Sequence, residues 1–249
     1  MMKAVAIGIL SAFLSPALLP GQAANSQQKL PAPVSPPKPA SSKAVANPLD
    51  QLISPHEKEI LAEINLARTN PAQYLRYLEG FKPYYHGKEI KFADGSTLVT
   101  NEGVSALEEA IGFVRSLKPL PPLELRKGLI LGAQDHVNDL AKTGHSGHRG
   151  SDGSMTEDRL SRYGRWSDSV GEDIVYQSRK AREDVIALLI DDGVKSRGHR
   201  KNIFKSDFHV IGVALSQPSK SPAMCVITFA GGFADKGSNG VAMPTAQKY

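Results

Sequence analysis

The chain has 249 residues, 41% hydrophobic and 22% charged, with 30 Lys and Arg against 25 Asp and Glu. A formal net charge of +5 without dense basic runs beside aromatic residues argues against nucleic-acid binding. The single cysteine, Cys225, rules out an intramolecular disulfide, so the fold must rest on its core.

Lys3, the apolar run Ala4 to Leu19 and the small residues around Ala23-Ala24 have the plan of a secretory signal peptide over residues 1–24. The run is short for a membrane span and Pro16 interrupts it, so no span is expected after cleavage. A secreted or periplasmic chain is expected. Residues 25–50, rich in Pro, Ala and Ser, read as a disordered linker. Residues 51–235 form the expected domain, and 236–249 a flexible tail.

Ser54-Pro55-His56-Glu57 has the form of a capping box, and Ile60, Leu61, Ile64 and Ala67 follow at helical spacing. Asn70-Pro71 ends that helix, and a second helical segment begins near Tyr74. Lys88 to Thr100 shows no period. Val104, Leu107, Ile111 and Val114 mark a third helix; Leu129, Ala133, His136, Val137 and Leu140 mark a fourth, stopped at Gly144. His145 to Ser169 reads as a long loop. Ala181, Val185, Leu188 and Leu189 give a last helix, closed by Asp191-Asp192-Gly193. Strand patterns come late, at His209 to Leu215 and Cys225 to Phe229. Helices first and strands last predict an α+β fold.

Four segments carry polar residues that periodicity does not require: Gly144 to Ser154 with His145 and His148, Gly171-Glu172-Asp173-Ile174, Asp191-Asp192, and Arg197 to Phe204 with His199. Imidazoles and carboxylates are zinc ligands and also the groups of acid–base chemistry. The residues are dispersed, with no H-E-x-x-H, and spacing alone leaves open a shared site or separate structural ion pairs. His136 falls on an apolar stripe and reads as a buried structural histidine. There is no Gly-x-Ser-x-Gly elbow, P-loop or dinucleotide fingerprint.

Taken in order, these segments resemble the CAP superfamily (cysteine-rich secretory proteins, antigen 5, pathogenesis-related 1), in its bacterial SCP-like form. The resemblance runs from about Ser54 to Phe233. It rests on Glu63-Ile64-Asn65-Leu66-Ala67-Arg68, Ala133-Gln134-Asp135-His136 and His148-Arg149-Gly150-Ser151-Asp152-Gly153-Ser154. It continues through Gly171-Glu172-Asp173-Ile174, Arg197-Gly198-His199-Arg200-Lys201-Asn202-Ile203 and Val210-Ile211-Gly212-Val213.

The resemblance implies an α–β–α sandwich with a central antiparallel sheet. It also implies a cleft lined by two histidines and two acids, able to bind a divalent ion, zinc before others. Matched residue by residue, that set is His148, His199, Glu172 and Asp192, with Asp191 next in line for the last place. Three departures stand out: Asp173 where the family usually has Asn, no disulfides, and a long region between Thr69 and Leu117. The resemblance points to an exported ligand-binding module whose ligand is a lipid, a cell-envelope component or a protein. The alternative is a metal-dependent hydrolase or protease in which Glu172 acts as base on a metal-bound water.

Overall fold

The computed structural model describes residues 48–92, 95–178, 180–216 and 223–237. The expected signal peptide, almost all of the linker and almost all of the tail lie outside the described residues. A 3-10 turn at Pro48–Gln51 leads into α1, Pro55–Thr69. The capping box is present: the Ser54 hydroxyl accepts from Glu57 N–H, and Ser54 N–H donates to the Glu57 carboxylate. Asn70 ends α1 and caps α2, Pro71–Phe81, where Pro71 occupies a first-turn position that needs no N–H.

The aperiodic stretch that follows is a small antiparallel meander: β1, Tyr85–His86; β2, Glu89–Lys91; and β3, Thr97–Val99. Strands of two and three residues are too short to show alternation in sequence. α3, Val104–Arg115, returns to the helical layer, and the proline-rich connector ends in β4, Glu124–Leu125. Next comes α4, Lys127–Thr143, stopped where Gly144 adopts the left-handed conformation at φ 69°.

The expected loop from His145 to Ser169 is corrected by the structure. It contains α5, Thr156–Ser161, and the first part of β5, Gly164–Tyr176. β5 escapes detection because its first half is polar and exposed or half-buried, as suits an edge strand with little apolar alternation. α6, Ala181–Ile190, and the single-turn α7, Gly198–Ile203, precede β6, Val210–Leu215, and β7, Met224–Asp235.

The central sheet runs β4-β6-β7-β5. Its three long strands are antiparallel, as expected; the short β4 alone pairs parallel to β6. Alternation then builds two cores. Ile211, Val213, Cys225, Ile227 and Phe229 face α1 and α6 and join the main core, while Val210, Ala214, Val226 and Ala230 face α4. Helices therefore cover both faces, which is the α–β–α sandwich. α4 lies so close to β6 that a Cβ on Gly212 would meet the Leu129 backbone at 2.2 Å. Arg68, fully buried at the end of α1, donates to the carbonyls of Pro121, Ile203, Lys205 and Phe208 and fastens the first helix to the chain around α7. Cys225 is buried and unpaired, and burial pushes its thiol pKa well up. Among the described residues no helix is long and apolar enough to cross a membrane.

Candidate ligand-binding cleft

β5 is an edge strand, so residues from either face of the sheet reach round its free side. Glu172 and Asp173 are sequence neighbours and project to opposite faces. Glu172 meets the α4–α5 side and Asp173 the α7 side, and each serves a different histidine.

On the first side, His148 Nδ1 donates to Glu172 Oε1 at 3.0 Å, and Arg159 Nη2 donates to Oε2 at 2.7 Å. Arg159 also holds the carbonyls of Ser154 and His148, which ties the loop bearing His148 to α5. Burial alone would raise the Glu172 carboxyl, but the His148 hydrogen bond and the Arg159 charge outweigh it and hold it below its ordinary value. His136, wholly buried, donates from Nε2 to the Gly147 carbonyl at 2.9 Å, a role fixed because a carbonyl only accepts. Among the described residues its Nδ1 is buried without a partner, and burial lowers its pKa. His136 is a neutral structural support. Gly147 N–H in turn donates to Tyr176 Oη at 2.7 Å, so the His148 loop is pinned at both ends.

On the second side, His199 Nδ1 donates to Asp191 Oδ1 at 2.7 Å, and the His199 N–H reaches Oδ2 at 3.0 Å. Asp191 ends α6 in the left-handed region, φ 56°, which Asp tolerates better than most residues. That turn aims its carboxylate back at α7. Burial would lower the His199 imidazole, but the Asp191 hydrogen bond and neighbouring charge win, and its pKa lies above the ordinary value. Asp173 is fully buried; Asn202 Nδ2 donates to its Oδ1 at 2.7 Å while Oδ2 has no partner among the described residues. Burial pushes its pKa up to about 8, so at neutral pH it is mostly uncharged.

Asp192 has different partners from Asp191. Its carboxylate accepts from the N–H groups of Asn101 and Glu102 and from Asn101 Nδ2, at 2.6–3.0 Å, and so anchors the end of the β1–β3 meander. Arg197, bonded to Glu102 and Glu109, strengthens the same junction. The meander is thereby fixed to the α6–α7 turn that carries His199.

His148 and His199 both line one cavity of about 310 Å³ beside the C-terminal end of β5. Asp191 and Asp192 also line it, whereas Glu172 stands behind His148. Most of the wall is apolar: Ile174, Val175 and Tyr176 from β5, Ile186, Ala187, Leu188 and Ile190 from α6, and Tyr85, Ile90, Phe92 and Leu98 from the meander. In both imidazole–carboxylate pairs the acid binds Nδ1, which leaves Nε2 free, and among the described residues neither Nε2 has a hydrogen-bond partner. That is the orientation of a metal-binding histidine backed by a carboxylate. However, with the acids behind the rings the site offers two nitrogen donors where a zinc site uses three or four protein ligands. Among the described residues no group of three or more His, Cys, Asp or Glu side chains is arranged to hold a metal.

Sequence patterning does not single out Arg159, which falls in the expected loop; the acidic first turn at Glu157-Asp158 ahead of Leu160 is the available helix signal. Nor does it single out Tyr176 or the meander, for which no sequence signal stands out.

Residues 109–229 match the model of the Cysteine-rich secretory protein family, CAP. This stretch, just under half of the chain, therefore carries a CAP-like sequence pattern. The match begins within α3, so α1, α2 and the meander precede it, although Arg68 and the shared core make α1 part of the same body. No curated protein matches the sequence. Among solved structures, an extracellular SCP-domain protein of Bacillus anthracis aligns at 23% identity and TM-score 0.36, over 45% of this chain and 34% of that one. An outer surface protein of Borrelia burgdorferi aligns at 19% identity and TM-score 0.39, over 45% and 78%. A cysteine-rich secretory protein of Staphylococcus aureus aligns at 15% and 0.33, over 56% and 44%. The alignment thus spans about a third of the length of the first of these.

Proposed function

We propose that this protein is an exported binding module that holds the apolar part of a ligand in the cleft beside β5. The observation that carries the reading is the cavity: apolar walls from two independent parts of the fold, with a few polar groups gathered at one end, as in small-molecule sites generally. The leader-like residues 1–24 support export, and a lipid or apolar cell-envelope component is the ligand class that such walls suit.

An uncharged apolar fluorophore such as N-phenylnaphthylamine is expected to brighten on binding the protein. Leu98→Glu, which places a charge on the half-buried meander wall, is expected to weaken that binding at least tenfold while leaving the far-UV spectrum unchanged. Absence of saturable binding to the unmodified chain would remove the proposal.

Binding is favoured over hydrolysis by the state of Glu172. Both of its oxygens are engaged and its side chain is only 2% exposed, so it is not placed to take a proton from a water in the cleft. Of the four residues expected to hold an ion, the two histidines keep a free nitrogen facing outward. Zinc, measured by calorimetry, is therefore expected to bind weakly, through His148 and His199, and to lose that binding in His199→Ala. Tight stoichiometric zinc that survives the substitution would show that the ion sits elsewhere.

A further inference from the structure

The cleft has a charge of its own that runs against the rest of the molecule. The chain is net positive by 5, yet among the described residues lining the cavity there is no Lys or Arg. Four carboxylates line it instead: Glu183, Asp184, Asp191 and Asp192. Glu183 is paired with Lys180, and Asp191 shares its charge with His199. Asp184 accepts from the Ser178 hydroxyl and lies 3.7 Å from His56 Nε2. Asp192 is held by neutral N–H donors, which fix the carboxylate in place without cancelling its charge. Within low-dielectric walls such a charge acts over the whole hollow. Its effect shows at Tyr85, a cleft residue whose phenol is pushed up to about 12, by burial first and the charge of Asp192 second.

The second feature is aromatic. Phe81, Tyr85, Phe92 and Tyr176 all line the same space. Aromatic faces together with nearby carboxylates are the chemistry that receives an ammonium group, because the ring quadrupole and the acid both attract a cation that has shed water. A carboxylate or phosphate headgroup would meet no Lys or Arg there, only the imidazoles of His148 and His199 set among four acids.

We infer that the cleft selects an apolar ligand bearing an amine or quaternary ammonium head, and that the meander, which supplies Tyr85 and Phe92, makes that selection specific to this chain. The inference rests on the apolar-cleft reading and adds the sign of the headgroup.

Three probes of equal chain length decide it: decyltrimethylammonium, decanol and decanoate, each titrated calorimetrically into the full chain below its micellar concentration. The ammonium is expected to bind at least tenfold more tightly than decanoate and more tightly than decanol, with the advantage shrinking in concentrated salt. Tyr85→Leu is expected to narrow the ammonium's lead over decanol while decanol itself still binds. Equal affinities, or decanoate or decanol as the tightest, would overturn the charge selection and leave the apolar cleft standing. Failure of all three to bind would overturn both.

Discussion

Arg159→Met is expected to lower the unfolding free energy by about 3–5 kcal/mol, the range seen when one partner of a buried ion pair is removed. Arg159 and Glu172 are each only 2% exposed in their side chains, and they meet at 2.7 Å. Without the guanidinium, the Glu172 carboxylate keeps only the His148 bond and must stay charged in a dry site or take up a proton. The penalty comes mainly from that stranded charge. Adding Glu172→Gln to Arg159→Met is therefore expected to recover part of the loss, so that the double variant is more stable than the sum of the two singles. Urea unfolding at neutral pH measures both. Simple additivity would show that Arg159 acts through packing and its carbonyl contacts instead of through Glu172.

Asp173→Asn carries the second large effect, and its sign is the reverse. The carboxyl titrates near the ordinary 3.8 when unfolded and near 8 in the fold. Below the lower value both states are protonated and the residue costs nothing. Between the two values only the unfolded chain gives up its proton, so stability falls with rising pH by up to about 1.4 kcal/mol per unit. Above about 8 the loss is complete, on the order of several kcal/mol. The amide that replaces the carboxyl in this variant cannot ionise, keeps the size of the side chain and can still accept from Asn202. The variant is thus expected to match the parent near pH 4 and to melt progressively higher than it toward pH 8. Thermal melts of both proteins across that range isolate the residue, because every other titrating group is shared. A difference that stays flat with pH would mean that Asp173 is ionised in the native state.

The helical layer is legible because its signals are local. Ser54, Asn70-Pro71, Gly144 and the periodic stripes each fix a start, a stop or a buried face through their own chemistry. The late strands β6 and β7 are legible for the same reason. Edge strand β5 is not, since its polar first half needs only one partner and answers to its position in the sheet. The meander is silent as well: its end is held by Asp192 and Arg197, residues about a hundred positions further along the chain. At the site, the family pattern points to His148, His199 and Glu172, but sequence cannot decide between Asp191 and Asp192. That choice depends on a single left-handed backbone angle at the end of α6, which turns Asp191 toward His199 and leaves Asp192 for Asn101 and Glu102.

The lone thiol offers a further use. Cys225 is wholly buried in the main core near the start of β7, with no second sulfhydryl anywhere in the chain. A maleimide added to the native protein is expected to react when this end of β7 leaves its neighbours, so the labelling rate counts openings of that part of the sheet. Wild-type protein therefore carries its own clock for kinetic stability, readable one chain at a time by mass.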